Sequence, residues 1–542
     1  MGPDTLSAQT AIRTATHNSN IKFVLFLTVL LRIFAYFCKS TKDFLNKYMF
    51  QDELTHLVLQ AFGFEPTAEQ MQTIRTFAAF MADREQRPLM IMRGAAGTGK
   101  TALAGAIVRA LTGLKQRVVL LAPTGRAAKV FGLRSGRPAS TIHRRIYREQ
   151  RFTGTDSRFN LNVNLAVDTL FMVDESSMIA NGYGQESAFG SGRLLDDLVQ
   201  YVYSGRGCRL MLIGDRAQLP PVGETESPAL SADAMKGYGL HVWQCDLTEV
   251  LRQNQHSGIL FNATQIRHFM TQNRPFQLPK VCFSQFTDIQ RVTGNDLIDS
   301  LESAYSRDGA DETIVITRSN KRANIYNQGI RNTVLDYDSL LCRGDMCMVV
   351  HNNYYWIERE KQRLKDEGME DEAKNLPISF LANGDRAKVT SIHNVRELYG
   401  FHFADAWLVF PDYDNYELQA TVILDSLTTE APALTKEQSD KLFNAVMNDY
   451  ADVPTKAERL KDVREDEYFN ALQIKYAYAM TCHKAQGGQW TNVFIDQGYM
   501  TDDMITPDYL HWLYTAFTRA TDKLYLVNWP KTQIEGDVPD EW

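Results

Sequence analysis

Cysteine is sparse in this chain and carries no pattern. Cys38, Cys208, Cys245, Cys282, Cys342, Cys347 and Cys482 are scattered over 542 residues. No pair has Cys-x-x-Cys spacing and no Cys/His group has zinc spacing, which excludes a disulfide scaffold and a structural metal module. Reduced thiols in a cytoplasmic protein are the expected state. An apolar run of membrane-spanning length is also missing. The apolar stretch FVLFLTVLL at 23–31 stops at Arg32, short of the roughly 20 residues a spanning helix needs. No small-residue cleavage site follows it, and no membrane association is expected. Repeats, low-complexity tracts and long Pro/Gly linkers are absent. So is a net positive charge: the chain stands at −7, so any nucleic-acid binding must rely on locally concentrated basic residues.

What is present is the composition of a soluble globular protein, 44% hydrophobic and 23% charged, long enough for two to four domains. Residues 1–48 differ from the rest, with six Lys/Arg against two Asp/Glu. They read as an extension upstream of a start at Met49, where MFQDELTHLVLQAFGFEPTAEQ begins like a normal soluble domain. A targeting or membrane segment and a helix packed on the body are the two other readings.

From residue 86 onward, short apolar runs alternate with helical patterns. PLMIMR, RVVLLAPT (117–124), TLFMVDES (169–176) and RLMLIGD (209–215) read as buried strands ending in polar residues. That rhythm predicts a parallel sheet with crossover helices, with functional residues at the strand C-terminal ends. A second such rhythm starts near 312 with ETIVITRSN and returns at YAYAMTCHKAQG (476–487), TNVFIDQ (491–497) and KLYLVN (523–528). Between them, 357–375 predicts a solvated charged helix. Residues 384 to about 428 alternate at period two, as in a small β-barrel.

GAAGTGKT, residues 94–101, satisfies G-x-x-x-x-G-K-[ST] after a strand and before a helix, the context that makes this phosphate-binding motif convincing. Backbone N–H groups of Gly94, Ala95, Ala96, Gly97, Thr98 and Gly99 would wrap the phosphates at a helix N-terminus. Lys100 would reach the β- and γ-phosphates, and Thr101 would ligate Mg²⁺. In FMVDES, Asp174 stands at a strand end where a Mg²⁺-holding aspartate is needed, and Glu175 beside it can deprotonate a water. A phosphotransferase has no need of that glutamate, so hydrolysis is the expected chemistry. Gln218, in GDRAQLPPVG, reads either as a γ-phosphate sensor or as a loop residue. Arg252, in DLTEVLRQ, reads as a helix-surface arginine or as a charge aimed at the nucleotide.

Together with TAEQ (67–70), APTGRAAK (122–129), ASTIH (139–143), LTEVLRQ, MTCHKAQGGQW (480–490) and LYTAFTRA (513–520), these motifs resemble those of superfamily 1 group B helicases of the RecD-like and Dda-like kind. The resemblance runs from about residue 60 to 530. It implies an α/β fold of two RecA-like P-loop domains with parallel sheets, 49–252 and 253–530, followed by a tail, 531–542. It further implies an SH3-like barrel inserted at 384–428 and a strand-separating pin somewhere in 146–168, for which the sequence has no sharp signature. By the same resemblance Gln70 would contact adenine, Arg252 and Arg519 would be arginine fingers, and Gln486 and Gly487 would lie near the nucleotide. The implied activity is ATP- and Mg²⁺-dependent translocation 5′ to 3′ on single-stranded DNA, with unwinding at duplex junctions, by a monomer working in DNA repair or recombination. An RNA helicase and an ATP-gated nucleic-acid-binding module are the alternatives.

Positive charge is concentrated where such a strand would lie. Arg126, Lys129, Arg134, Arg137, Arg144, Arg145, Arg148 and Arg151 stand against the single acid Glu149, with Phe131, Tyr147 and Phe152 interleaved. A basic groove follows phosphates while aromatic rings stack bases. Thr124, Thr141 and His143, and from the second domain Thr317, Thr481 and His483, are the candidate backbone contacts. His143 has no partner at metal-ligand spacing.

Overall fold

Strands short enough to be buried from end to end, each followed by a helix that covers one sheet face, dictate layered α/β domains. The computed structural model describes residues 48–149, 159–182, 189–250, 257–271, 278–284, 286–378, 380–501 and 504–535. In the N-terminal half the strands are β1 (Pro88–Gly94), β2 (Arg117–Ala122), β3 (Ala139–Thr141), β4 (Tyr147–Glu149), β5 (Phe159–Leu161), β6 (Thr169–Val173), β7 (Arg209–Gly214) and β8 (His241–Leu247). Six of them form one sheet in the order β3-β2-β6-β7-β1-β8, parallel at every pairing. The pleat divides its side chains between two cores. Leu89 and Ile91 of β1 join Phe171, Leu198 and Tyr201 on one face. Met90 and Met92 join Phe77, Leu103, Ile107 and Phe131 on the other, as period-two alternation requires.

The remaining two strands, β4 and β5, pair antiparallel as a hairpin. This is the region where the sequence offered no sharp sign of a pin; residues 150–158 at its tip lie outside the described residues. The hairpin is anchored at its base. The Tyr147 hydroxyl donates to Asp197 Oδ2 at 2.7 Å, and the Phe159 ring lies 4.9 Å from Phe189 and 4.2 Å from Tyr354.

The C-terminal half contains β9 (Ile289–Val292), β10 (Thr313–Thr317), β11 (Met346–Val349), β12 (Arg386–Leu398), β13 (Phe401–Phe410), β14 (Tyr416–Ile423), β15 (Leu472–Tyr476), β16 (Ala479–Thr481), β17 (Trp490–Asp496) and β18 (Ala520–Val527). The second parallel sheet runs β16-β10-β17-β18-β9, and β11 to β15 close a barrel. The barrel is wider in sequence than the alternating stretch 384–428. Its closing strands β11 and β15 lie outside that stretch, and the helices Lys436–Asp449 and Lys456–Glu465 intervene before β15. The charged segment forms two helices, Tyr355–Asp366 and Glu370–Lys374. The first of these buries Trp356, Ile357 and Leu364 and ties Arg363 to Glu360 and Glu367 on its outer side.

Residues 1–47 lie outside the described residues, so the readings of the N-terminal segment fall there. Among the described residues, no helix is long and apolar enough to cross a membrane. Among the same residues, no group of three or more His, Cys, Asp or Glu is placed to hold a metal ion, and the six described cysteines are free.

Candidate active site

The phosphate motif folds as its residue types require. β1 ends at Gly94, and the helix Lys100–Gly113 begins after Gly99. Gly97 and Gly99 adopt φ of 77° and 81°, a region that favours glycine. A Cβ on Gly94 would come within 2.7 Å of the Lys100 side chain. The Thr98 hydroxyl donates to the Ala95 carbonyl at 2.9 Å, and the Lys100 ammonium lies over the loop, 2.8 Å from the same oxygen. Gln70 is buried against this loop and donates to the Thr98 carbonyl at 3.0 Å. Its amide oxygen accepts from the Thr67 N–H at 3.1 Å, so TAEQ is also a helix-capping box.

Asp174 and Glu175 follow β6, at the C-terminal edge of the sheet beside the loop. Glu175 has φ of 50°, a left-handed conformation that is strained for a non-glycine residue and concentrates at functional sites. Its N–H donates to Asp174 Oδ1 at 2.9 Å. Burial, and then the neighbouring Glu175 carboxylate, push the Asp174 carboxyl up to about 7, with Lys100 acting in the opposite direction. Two adjacent, half-buried carboxyl groups of this kind favour a cation. A carboxylate plus the Thr101 hydroxyl, completed by phosphate and water oxygens, matches how Mg²⁺ is held. The donor set therefore fits the expected metal.

The second domain completes the site through one face of the helix Pro507–Phe517 and the residues after it. His511 Nδ1 is 2.9 Å from the Ala217 carbonyl. The Thr515 hydroxyl accepts from the Leu219 N–H at 2.8 Å. The Tyr514 hydroxyl donates to Asp215 Oδ2 at 2.6 Å and accepts from the Ala96 N–H, in the phosphate loop, at 2.9 Å. From the loop before β17, the Gln486 amide donates to the Leu219 carbonyl at 2.7 Å. Ala217 and Leu219 are buried within the second domain's core.

Arg519 does not project from the helix face. It lies past the helix end, 2% exposed, donating to the carbonyls of Thr515 and Gly488, each at 3.0 Å, and to the Thr518 hydroxyl. With the Gln218 amide oriented to satisfy its neighbours, its oxygen accepts from Arg519 Nη2 at 3.2 Å. Its nitrogen then donates to Glu175 Oε2 at 3.3 Å. In that orientation Glu175, Gln218 and Arg519 form one chain of hydrogen bonds across the domain boundary. Arg252 lies outside the described residues.

A cleft of about 230 Å³ opens on the other side of the same contact. Thr124, Arg126, Thr141 and His143 line it from the first domain. Asp385, Arg386 and Asp412 line it from the barrel, and His483, Gln486, Gly488 and Trp490 from the second sheet. Thr317 and Thr481 are not among the lining residues. Thr124 and Thr141 cap helices by accepting from Ala127 and Arg144 N–H groups, and the Thr317 hydroxyl donates to the Ser319 carbonyl. Gly487 has φ of 72°, which favours glycine, and a Cβ there would lie 3.0 Å from the Thr124 hydroxyl, a tight approach. Burial lowers His143 to about 4, so it is neutral, and also lowers His483.

Four residues of the basic run, Arg126, Lys129, Arg134 and Arg144, bond to the second domain and its barrel. Arg126 donates to the Gln489 carbonyl and stacks 4.2 Å over Trp490. Lys129 donates to the Pro411 carbonyl. Arg134 donates to Gln489 Oε1 at 3.2 Å. Arg144 donates to the carbonyls of Pro377 and Leu376 at 2.6 and 3.1 Å. The residues that motif reading missed are Tyr514, Thr515 and His511, whereas Asp215 was marked only as a polar strand end. The available signal was their i, i+3, i+4 spacing on a single helix face, together with the aspartate at the end of β7.

Family comparisons agree with this two-part construction. Residues 66–274 match the family model for an AAA domain, and residues 476–527 match that for a UvrD-like helicase C-terminal domain. The ATP-dependent RecD2 DNA helicase of Deinococcus radiodurans is 36% identical over 135 residues, 25% of this chain and 16% of that protein. The ATP-dependent DNA helicase Dda of Enterobacteria phage T4 is 26% identical over 276 residues, 49% of this chain and 57% of that protein. These matches thus span less than two thirds of either relative. A solved Pif1 helicase from Candida albicans covers 87% of this chain and 96% of its own at 15% identity, with a TM-score of 0.41. Over these stretches the chain is similar to the RecD2 and Dda helicases, and its two parallel-sheet domains and closed barrel match the architecture expected from the motifs.

Proposed function

We propose that this chain, related to the RecD-like and Dda-like superfamily 1 helicases, is an ATP-dependent DNA helicase moving 5′ to 3′ on single-stranded DNA. One observation carries the reading. The phosphate loop of the first domain is bonded to the second domain at Ala96 and Tyr514, and Glu175, with the Gln218 amide turned to satisfy its neighbours, is linked through Gln218 to Arg519. Hydrolysis in such a site depends on the relative position of the two domains, which is what a translocating motor requires. Lys100 and the loop N–H groups hold the phosphates. Asp174 and Thr101 would hold Mg²⁺, which would supply the positive charge that stabilises the transferred phosphoryl group. Glu175 takes the proton of the attacking water, and Gln218 keeps that carboxylate aligned with Arg519.

The cleft lined by Thr124, Arg126, Thr141, His143 and His483 is where the strand backbone would lie, with Trp490 as an aromatic surface and the β4–β5 hairpin placed to part a duplex. The described cysteines are free, which fits a cytoplasmic site of action. Strand displacement from 5′-tailed and 3′-tailed duplexes tests the proposal, with ATPase measured with and without single-stranded DNA. Displacement confined to the 5′-tailed substrate, with DNA-stimulated hydrolysis, is the expected result. Hydrolysis indifferent to DNA, with no displaced strand, would reduce the chain to an ATP-gated binding module. Displacement of RNA alone would reassign the substrate.

A further inference from the structure

The Tyr514 hydroxyl holds a group that a phosphate would need. The Ala96 N–H belongs to the phosphate loop, yet it donates to Tyr514 Oη at 2.9 Å. The same hydroxyl gives its proton to Asp215 Oδ2 at 2.6 Å, and the other Asp215 oxygen accepts from the Ala217 N–H at 2.9 Å. Tyr514 and Asp215 are buried, at 1% and 3% exposure, so water does not substitute for these partners. One N–H has one proton to give, and a phosphate oxygen and the tyrosine hydroxyl cannot both take it. The bond to the carboxylate is charge-assisted and therefore among the stronger ones in the interface.

We propose that Tyr514 is a positioning residue that plugs the phosphate loop between nucleotides. Its hydroxyl stands where a phosphate oxygen binds on the Ala96 N–H, and a nucleoside di- or triphosphate displaces it. This rests on reading residues 94–101 as the nucleotide site. Entry of a phosphate then breaks a bond between the domains at Tyr514, while Thr515 and His511 keep the helix attached to residues 217–219. Phosphate release lets the hydroxyl return to the Ala96 N–H, which ties product departure to closure of that contact.

Titration of the full chain with a fluorescent ADP analogue, in wild type, Tyr514→Phe, Asp215→Asn and the double variant, tests the proposal. Removing the hydroxyl alone is expected to tighten ADP binding about tenfold, with slower release in stopped flow. KM for ATP should fall while kcat does not rise. Asp215→Asn weakens the acceptor and tightens binding less. The double variant should match Tyr514→Phe, because both act on one bond. Unchanged or weaker ADP binding by Tyr514→Phe, or additive effects in the double variant, would overturn the plug. If Tyr514→Phe does not fold, unchanged or weaker binding by Asp215→Asn overturns it. Wild type that binds no ADP analogue, or Lys100→Ala that binds it equally well, would sink the nucleotide site itself.

Discussion

The two α/β domains share a parallel-sheet plan but contribute in different ways to the site between them. The first domain supplies two short contiguous pieces, a loop of eight residues leading into a helix and an acid pair at the end of β6, with β7 between β6 and β1. The second supplies one helix face and an arginine beyond its end, each aimed at a backbone group or side chain of the first. A device built from neighbours in sequence keeps its geometry when the partner domain is moved or mutated. One built from a face loses its meaning without the opposite surface. The phosphate contacts should therefore belong to the first domain, with Tyr514 competing for one of them at Ala96, and the rate of hydrolysis to the junction.

The sharpest way to break that division is Arg519→Ala. Loss of an arginine that acts on the transferring phosphoryl group lowers hydrolysis by about 10³–10⁵, and nucleotide affinity should change little. Because Arg519 is buried and bonded to the Thr515 and Gly488 carbonyls, the melting temperature should fall as well. Full ATPase activity in a folded Arg519→Ala protein would remove the arginine from catalysis. Next in size, Glu175→Gln should slow turnover by about 10²–10⁴ and leave binding of an ATP analogue intact, as measured by equilibrium titration. Thr515→Val probes the junction alone. Leaving the buried Leu219 N–H without its acceptor should cost about 1–3 kcal/mol of stability, read by denaturant melts, with a smaller loss of turnover than either catalytic variant.

The smallest effect is one of pH and lies outside the nucleotide site. Burial holds His143 at about 4 in the folded chain, against an ordinary value of 6.5. The unfolded chain binds the extra proton between those values, so stability is fully present above pH 6.5 and is lost as pH falls toward 4. His143→Phe should flatten that acid limb in a series of thermal melts. A limb unchanged by the substitution would show that the imidazole is not held neutral.

Legibility in the sequence followed the same division. The P-loop, the acid pair and the two parallel sheets could be read because each rests on contiguous residues with a fixed period. The barrel was only partly visible: β12 to β14 alternate within one stretch, whereas β11 and β15 pair with each other across more than a hundred residues. The hairpin left no mark because its two strands are three residues each, too short for a period to register. The charge run at 126–151 was visible as charge, but its acceptors were not. Carbonyls such as those of Gln489 and Pro377 have no sequence signature, and only the fold brings them to Arg126 and Arg144. Tyr514 was hidden for a related reason, since its ring reads as ordinary core and its hydroxyl matters only opposite Ala96.

The hydrogen-bond chain from Glu175 through Gln218 to Arg519 ends on the carbonyl of Gly488, and Gly488 lines the opposite cleft. The two sites therefore share a physical edge. Any ligand of the cleft that favours one placement of Gly488 biases the nucleotide site, and equilibrium linkage makes that influence mutual. If a strand in the cleft changes ATP affinity by some factor, ATP must change the grip on the strand by the same factor. Measuring either binding curve with and without the other ligand fixes the strength of both.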